Sequence, residues 1–217
     1  MTKKKGLYIV GVLVLLIPVL LIYSAFEGNP IGKMNAKFTL KKHLEKTYPE
    51  EEFVLGDALY NFKMGGYDIT VESIDKTKSE KYDFTVVGMF GTKVHYDGIY
   101  YANLDEPLIK KLEEEANEEI FDILKVGIPE IEDVSVRIEV LKGTHPDDTK
   151  WDKSLQLEKP LYLWTAIDGE GLKEEDVFEI AKRMKKILND NGYDYSRVSI
   201  NSMVNYEGSK LLNYSIG

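Results

Sequence analysis

The chain has 217 residues, of which 43% are hydrophobic and 11% aromatic, so its composition excludes a disordered stalk and fits a folded core. It contains no cysteine, which excludes disulfides, thiolate chemistry and anchoring through a lipid-modified cysteine. Its formal net charge of −9 at pH 7 argues against a nucleic-acid partner, because phosphate binding needs a clustered positive surface.

An uncharged run of 21 residues follows a short basic tail, residues 1–5. Leu, Ile, Val and Phe fill 14 of the 20 positions from Leu7 to Phe26, and Pro18 lies inside the run. About 20 helical residues at about 1.5 Å each cover the roughly 30 Å hydrocarbon core of a bilayer. Residues 6–26 are therefore predicted to form a single transmembrane anchor whose partner is the lipid bilayer.

The basic tail sets the predicted orientation of this anchor. Lys3, Lys4 and Lys5 favour a cytoplasmic amino terminus, because positive charge beside the first span is retained on that side of the membrane. Residues 27–217 are then extracytoplasmic, although lysines further along the chain weaken the charge asymmetry. Signal peptidase prefers a shorter apolar run and a small side chain where Tyr23 stands, so the anchor is predicted to stay uncleaved. The alternatives are a cleaved signal peptide and a buried hairpin helix in a soluble protein.

Residues 31–102 are predicted to form a first small domain. A basic helix over 32–48 is ended by Pro49. The side chains expected to share one face of this helix are Met34, Phe38, Lys41 and Leu44. Runs typical of β-strands follow at 53–63, 67–74, 82–87 and 93–101. The order of one helix and then several strands predicts an antiparallel meander wrapped on a helix.

Residues 103–217 are predicted to form a second small domain. Its first helix begins after Asp105, where Glu106 and Pro107 suit a helix start. Strands are predicted at 134–140, 161–167, 198–206 and 211–216, and a second helix carries the apolar stripe Val177, Ile180, Ala181, Met184 and Ile187. The order αββαββ predicts a two-layer α+β sandwich with both helices on one face of an antiparallel sheet. The fold class as a whole is therefore α+β.

Three sequence segments resemble the YfjL-like family. They are GNPIGKM at 28–34, HLEKTYPEEEF at 43–53 and YNFK at 60–63, and the α+β pattern of the second half agrees with them. This resemblance implies a membrane-anchored protein of a Gram-positive bacterium related to Bacillus, with two small extracytoplasmic domains and unknown activity. It implies no catalytic residues.

The most informative candidate for a binding site is the long connection at 142–159. It contains His145, Asp147, Asp148, Trp151 and Asp152, and long loops that combine an aromatic residue with acids sometimes form binding sites. The alternative is a solvated hairpin loop with the tryptophan folded over a sheet edge. If the loop binds calcium, replacing both of its first two aspartates with asparagine abolishes a calcium-dependent rise in melting temperature.

No catalytic, metal or cofactor motif stands out in the chain. Its histidines, His43, His95 and His145, are far apart and have no metal-ligand spacing. The sequence therefore favours a non-enzymatic binding or adaptor module whose partner is an envelope protein or peptide. Addition of a partner strand at an open sheet edge is one mode by which it would bind. The alternative is an envelope hydrolase that uses paired carboxylates.

Overall fold

The computed structural model describes residues 3–74, 79–88, 90–203 and 213–216. The chain divides into two compact units, Met1–Ala102 (unit 1) and Asn103–Gly217 (unit 2). Unit 1 begins with helix α1, Lys3–Glu27, and continues with helix α2, Pro30–Thr47. Each unit then adds a β-sheet of its own, so the fold is α+β as predicted.

Helix α1 covers the predicted membrane span, with Pro18 in its interior. Its exposed apolar side chains include Val14, Leu15, Val19 and Ile22. Within the described part of the chain, no helix is both long enough and apolar enough to cross a membrane. The transmembrane part of the predicted fold is therefore not supported by the structure. The structure does not describe the side chains of residues 1–10. The predicted topology signal, Lys3, Lys4 and Lys5, and the predicted start of the span at Leu7 therefore lie outside the described side chains.

Two residues, Gly28 and Asn29, connect α1 to α2. Asn29 caps α2, because its Oδ1 accepts a hydrogen bond of 2.6 Å from the backbone N–H of Gly32, and Pro30 occupies the first helical position. The fully buried Tyr67 closes the junction, since its hydroxyl accepts from the Asn29 N–H at 3.2 Å. A Cβ at Gly28, whose φ is +72°, would lie 2.9 Å from Tyr67. An added Cβ at Gly32 would also meet Tyr67, so both glycines of the GNPIG segment are needed for the close packing of this junction.

The sheet of unit 1 contains five strands. They are β1 Phe53–Leu55, β2 Leu59–Asn61, β3 Gly66–Ser73, β4 Lys81–Val87 and β5 Lys93–Asp97. Strands β1 and β2 pair in turn with the same edge of β3, so the single strand predicted at 53–63 is interrupted. The strand predicted to reach 101 ends earlier, because Asp97 Oδ1 accepts the Tyr100 N–H at 3.0 Å and starts the short helix α3, Gly98–Ala102.

The face that α2 packs on this sheet differs from the predicted one. The buried residues of α2 are Gly32, Ala36, Leu40 and Leu44. Of the predicted stripe only Leu44 is buried, whereas Met34 and Phe38 are 65% and 57% exposed. The reason is close approach in the first half of α2: a Cβ at Gly91 would lie 2.6 Å from the Ala36 Cβ, so a side chain larger than alanine does not fit at position 36.

Unit 2 has the predicted order of elements. They are α4 Glu106–Gly127, β6 Ile131–Arg137, β7 Leu161–Asp168, α5 Glu174–Asp190, β8 Tyr195–Met203 and β9 Asn213–Ile216. The sheet order is β6-β7-β8-β9, with antiparallel outer pairs and a parallel β7–β8 pair. The prediction of a purely antiparallel sheet was therefore wrong. Helix α5 connects β7 to β8, and such a crossover joins parallel neighbours. The predicted strand ends at 204–206 and 211–212 lie outside the described residues.

Helices α4 and α5 contact each other and cover one face of this sheet. Burial alternates along β7: Leu161, Leu163, Thr165 and Ile167 are buried, and the residues between them are not. The stripe of α4 that faces the core contains Leu112, Ala116, Ile120 and Leu124. Since all the inward positions of β6, β7 and β8 point to this layer, their outward positions form a second face. This second face carries the candidate site.

Candidate ligand-binding face

The outward face of the unit 2 sheet brings together residues from three strands. In the strand register Arg137 of β6 lies opposite Tyr162 of β7, which in turn lies opposite Arg197 of β8. The next row places Trp164 opposite Ser199 in the same way. We call these four residues, Arg137, Tyr162, Trp164 and Arg197, the open-face cluster. Side chains on neighbouring strands at such positions are about 4.5–5.5 Å apart at Cβ, close enough to act on one ligand.

The cluster concentrates positive charge in an acidic protein. The whole chain has three arginines, Arg137, Arg183 and Arg197, so two of the three lie on this face. Both arginine side chains of the cluster are exposed, and the positive charge of Arg137 acts on the carboxylate of Glu113 on α4. A guanidinium presents five donors in a planar fork that matches carboxylate or phosphate oxygens.

The aromatic part of the cluster is pre-positioned. The rings of Tyr162 and Trp164 have centroids 4.1 Å apart and planes inclined at 58°. The Tyr162 hydroxyl is 2.9 Å from Ser199 Oγ, which fixes the direction of the phenol ring. Trp164 remains 41% exposed, although a tryptophan on a sheet is a large apolar group to leave in water. These tilted rings provide an apolar surface between the two arginines.

A hollow of about 380 Å³ lies at one end of the cluster. Its lining residues are Arg137, Glu139, Lys159, Pro160, Tyr162, Trp164 and Ser196. Lys159 Nζ contacts Glu139 Oε2 at 2.6 Å, so these two charges largely neutralise each other. Arg137 is therefore the main source of net charge in the hollow, which is otherwise apolar.

The edge of the sheet beside the cluster is closed by side chains of α4. The Val136 N–H donates to Asn117 Oδ1 at 2.7 Å, and the Ile138 N–H donates to Glu113 Oε1 at 3.0 Å. Burial raises the pKa of Glu113, although the hydrogen bond from Ile138 opposes this shift. Because these backbone donors of β6 are already paired, addition of a partner strand at this edge is disfavoured. The outward face of the sheet is therefore more accessible to a partner than its β6 edge.

The structure places the predicted loop residues in different roles. His145 Nε2 lies 3.0 Å from the Gln156 carbonyl oxygen, and Asp152 Oδ1 accepts the Ser154 N–H at 2.8 Å, so both residues brace the loop. The hydrogen bonds from Ser154 hold the pKa of Asp152 below its usual range. Asp147 and Asp148 are exposed to solvent. No group of three or more His, Cys, Asp or Glu residues that could hold a metal occurs among the described residues.

Trp151 is the member of the predicted loop that lines a hollow. This hollow, of about 180 Å³, also contains Lys159 and Pro160, which border the first hollow as well. The Trp151 backbone N–H donates to Glu115 Oε2 at 2.7 Å, and its indole Nε1 is buried without a hydrogen-bond partner in the part of the chain that the structure describes. The loop as a binding site stays a prediction, and its position next to the open-face cluster makes it a natural extension of that surface.

Two features of unit 1 bear on the alternative of a hydrolase. His43 Nε2 lies 2.6 Å from Asp97 Oδ2, which also accepts from the Tyr48 hydroxyl at 3.0 Å. Beside this cluster a hollow of about 360 Å³ is lined by three carboxylates, Glu45, Glu51 and Glu52. All three are exposed to solvent. In a paired-carboxylate mechanism the two carboxyl groups have different surroundings, which push their pKa values apart. The paired-carboxylate mechanism therefore stays a prediction.

Sequence reasoning did not single out the open-face cluster. The signal was present in β7, LYLWTAID, where Tyr and Trp occupy the outward positions that a two-layer sandwich usually fills with small polar residues. Arg137 and Arg197 occupy outward positions of their own strands by the same alternation. The pairing of β7 with both strands was needed to bring the four side chains together.

These observations define a class: a two-unit α+β protein in which one helix-backed sheet presents an exposed aromatic and basic face. The chain belongs to the YfjL-like family, which confirms the resemblance drawn from its sequence segments. The YfjL-like N-terminal domain matches residues 3–98, and the YfjL-like C-terminal domain matches residues 115–216.

A curated relative supports this assignment. The chain is 31% identical to the "Uncharacterized protein YfjL" of Bacillus subtilis (strain 168) over 184 residues. The match covers 85% of this chain and 78% of the relative, so it includes both units, and the relative's name assigns it no activity. No solved structure matches the chain.

Proposed function

We propose that this protein is a membrane-anchored binding module that holds an acidic segment of an envelope protein or peptide on the open-face cluster. The observation that carries this proposal is the pair of exposed arginines, Arg137 and Arg197, on the strands that flank the Tyr162 and Trp164 rings. Arginine and tryptophan are the residues that most often dominate binding energy at protein interfaces.

The sequence supports the membrane part of this proposal. The run of 21 uncharged residues lies within α1, and its described apolar side chains, which fall between Val12 and Phe26, are exposed. A helix that packs on a soluble core usually has one apolar face and one polar face, and this uncharged run has no polar face. The three lysines before it favour a cytoplasmic amino terminus, with both units outside.

The chemistry of the cluster selects for acidic partners. A carboxylate that approaches the sheet gains charge-assisted hydrogen bonds from Arg137 or Arg197, each worth about 1.5–3 kcal/mol. The aromatic rings between them pack against the apolar stem or backbone of the same segment. Since the chain as a whole has a net charge of −9, most other parts of its surface attract an acidic segment less than the cluster does, which adds specificity.

Fluorescence of Trp164 provides a direct test. The chain has two tryptophans, so Trp151→Phe leaves Trp164 as the reporter. Titration of the full chain with poly-glutamate is expected to change this fluorescence and to weaken with added salt. Poly-lysine of the same length is expected to have no effect. The variant with Arg137→Ala and Arg197→Ala is expected to lose more than about tenfold in affinity, because two charged hydrogen-bond donors are removed.

A control for the loss of each arginine is Arg183→Ala, which removes one positive charge from α5, away from the outward face. It is expected to bind poly-glutamate like the parent. Equal binding of poly-glutamate by the parent and by the double variant would overturn the proposal, as would equal responses to poly-glutamate and poly-lysine.

A further inference from the structure

Helix α2 has an apolar strip on the side away from its own core. Ile31, Met34 and Phe38 are 59%, 65% and 57% exposed, and they lie at helical spacing opposite the buried Ala36 and Leu40. An isolated exposed apolar residue needs no explanation, but three in a row on one side of a helix do. The core of unit 1 does not use them, so they are available for another contact.

The strip continues onto neighbouring elements of unit 1. Met34 and Leu59 line the same hollow of about 490 Å³, and Leu59 is 67% exposed. Phe62, which is 60% exposed, lies with its ring centroid 6.4 Å from that of Phe26 at the end of α1. We call the connected set, Phe26, Ile31, Met34, Phe38, Leu59 and Phe62, the α2 patch. It joins the exposed surface of α1 to that of α2.

The α2 patch lies in the most basic part of the chain. Helix α2 contains five lysines and one glutamate, in a protein whose net charge is −9. Lys33 and Lys37 line the hollow beside Met34, and Lys42 Nζ lies 4.4 Å from the centroid of the Phe38 ring. An apolar strip bordered by lysines is complementary to a bilayer surface that contains anionic lipid.

The exposed side of α2 changes character along the helix. Its first two turns present the apolar strip, and after Phe38 the same side presents Lys41, Lys42 and Glu45. From Ile31 to Phe38 the helix rises about 10 Å, so the apolar strip occupies less than half of its length. The apolar end is the one attached to α1, and the charged end is further from it.

We propose that the α2 patch rests on the surface of an anionic bilayer beside the point where α1 enters it. The apolar side chains insert at headgroup level, and the lysines around them bind lipid phosphate. This inference rests on the proposed anchoring of α1 in the membrane. Contact at the patch holds unit 1 against the bilayer instead of leaving it free above the surface.

Depth-dependent quenching tests this contact in the full chain, which has no native cysteine. Single cysteines are introduced by Phe38→Cys in the patch, Lys46→Cys at the charged end of α2 and Ile17→Cys in α1. Each is labelled with an environment-sensitive fluorophore and reconstituted into vesicles of phosphatidylcholine with phosphatidylglycerol, with lipid-borne nitroxides or aqueous iodide as quencher. The three positions are all exposed, so labelling leaves the core intact.

The expected result is nitroxide quenching at positions 38 and 17 and iodide quenching at position 46. Omission of phosphatidylglycerol is expected to reduce nitroxide quenching at position 38 and to leave position 17 unchanged. Nitroxide quenching at position 17 without any at position 38 would overturn the patch contact and leave the anchor standing. Protection of position 38 from both quenchers would also overturn it, in favour of a second copy or a protein partner. Quenching at position 38 alone would support the patch contact and overturn the anchor.

Discussion

Glu113 is a residue whose charge state responds to the fold. It is half-buried on α4, accepts the Ile138 N–H at 3.0 Å, and has its pKa raised by burial. The folded protein therefore keeps this proton to a higher pH than the unfolded chain. The stabilisation is fully present below the unfolded pKa of about 4.3 and is lost as the pH rises through the folded pKa.

We expect Glu113→Gln to melt at a higher temperature than the parent near neutral pH and at the same temperature in acid. The amide oxygen still accepts from Ile138, and it carries no charge that burial disfavours. Thermal unfolding across the acid-to-neutral range measures this difference. Glu114→Gln on the exposed side of α4 is the control, with an effect below about 0.5 kcal/mol at either pH. A neutral-pH loss of stability in Glu113→Gln would contradict this account.

The junction between α1 and α2 depends on the absence of a side chain at Gly32. An added Cβ there would clash with the Tyr67 hydroxyl oxygen, and Tyr67 is fully buried. We expect Gly32→Ala to destabilise unit 1 by about 1–3 kcal/mol through overpacking. Hydrogen exchange of the β3 amides reports this loss.

Two further variants sharpen that test. Tyr67→Phe removes the clashing oxygen, so the variant with both changes is expected to recover part of the loss. Gly11→Ala, where an added Cβ meets nothing within 4 Å, is expected to leave the β3 amides unchanged. No recovery in the double variant would show that the clash lies elsewhere.

At the scale of elements, the edge of β6 is stabilised by side chains of α4 instead of a further strand. Asn117→Ala leaves the Val136 N–H without its 2.7 Å acceptor, so we expect a loss of about 1–3 kcal/mol in the free energy of unfolding of unit 2. Asn117→Asp keeps an acceptor and is expected to retain most of the stability. Urea unfolding distinguishes the two, and equal losses in both variants would argue against the hydrogen bond as the cause.

Helix α2 shows how far sequence periodicity reaches at this scale. Its existence and its end before Pro49 follow from local signals, and the structure has the helix at Pro30–Thr47. Its buried face does not follow from them. Periodicity favours Met34 and Phe38 as the buried residues because they are larger and more apolar than Gly32 and Ala36. The small residues are buried because the sheet and Gly91 approach so closely, and this distance is a tertiary property. The candidate site escaped prediction for the same reason, since its four side chains come from three strands.

For the whole molecule, each unit has its own hydrophobic core. The core of unit 1 is drawn from residues between Ala36 and Ile99. In unit 2 the buried Leu104 pairs with Leu141, and the Lys142 N–H donates to the Asn103 carbonyl at 2.9 Å. The order of elements in unit 2 was predicted from their periodicity, whereas in unit 1 the break between β1 and β2 and the short helix α3 were not. The β7–β8 pair was predicted wrongly, although a helix between two strands favours a parallel pair.

We expect residues 103–217 to fold without the rest of the chain and to unfold cooperatively by circular dichroism. A fragment that begins at residue 107 is the matched comparison. It lacks the bridge to Leu141 and the Asp105 cap, whose Oδ1 accepts from the Leu108 N–H at 3.3 Å. Loss of the cap alone costs about 0.5–2 kcal/mol, so this shorter fragment should be less stable. Equal stability of the two fragments would mean that residues 103–106 contribute nothing.

The two-residue connection between α1 and α2 has a mechanical consequence. Many connections between helices are several residues long and can extend when a force is applied to one helix. Here the Asn29 cap and the buried Tyr67 tie the connection to the middle of the sheet. A force applied along α1 is therefore transmitted to β3 without first extending a linker. The rest of unit 1 is rigidly coupled to α1, so a tilt of that helix rotates the α2 helix and its sheet with it.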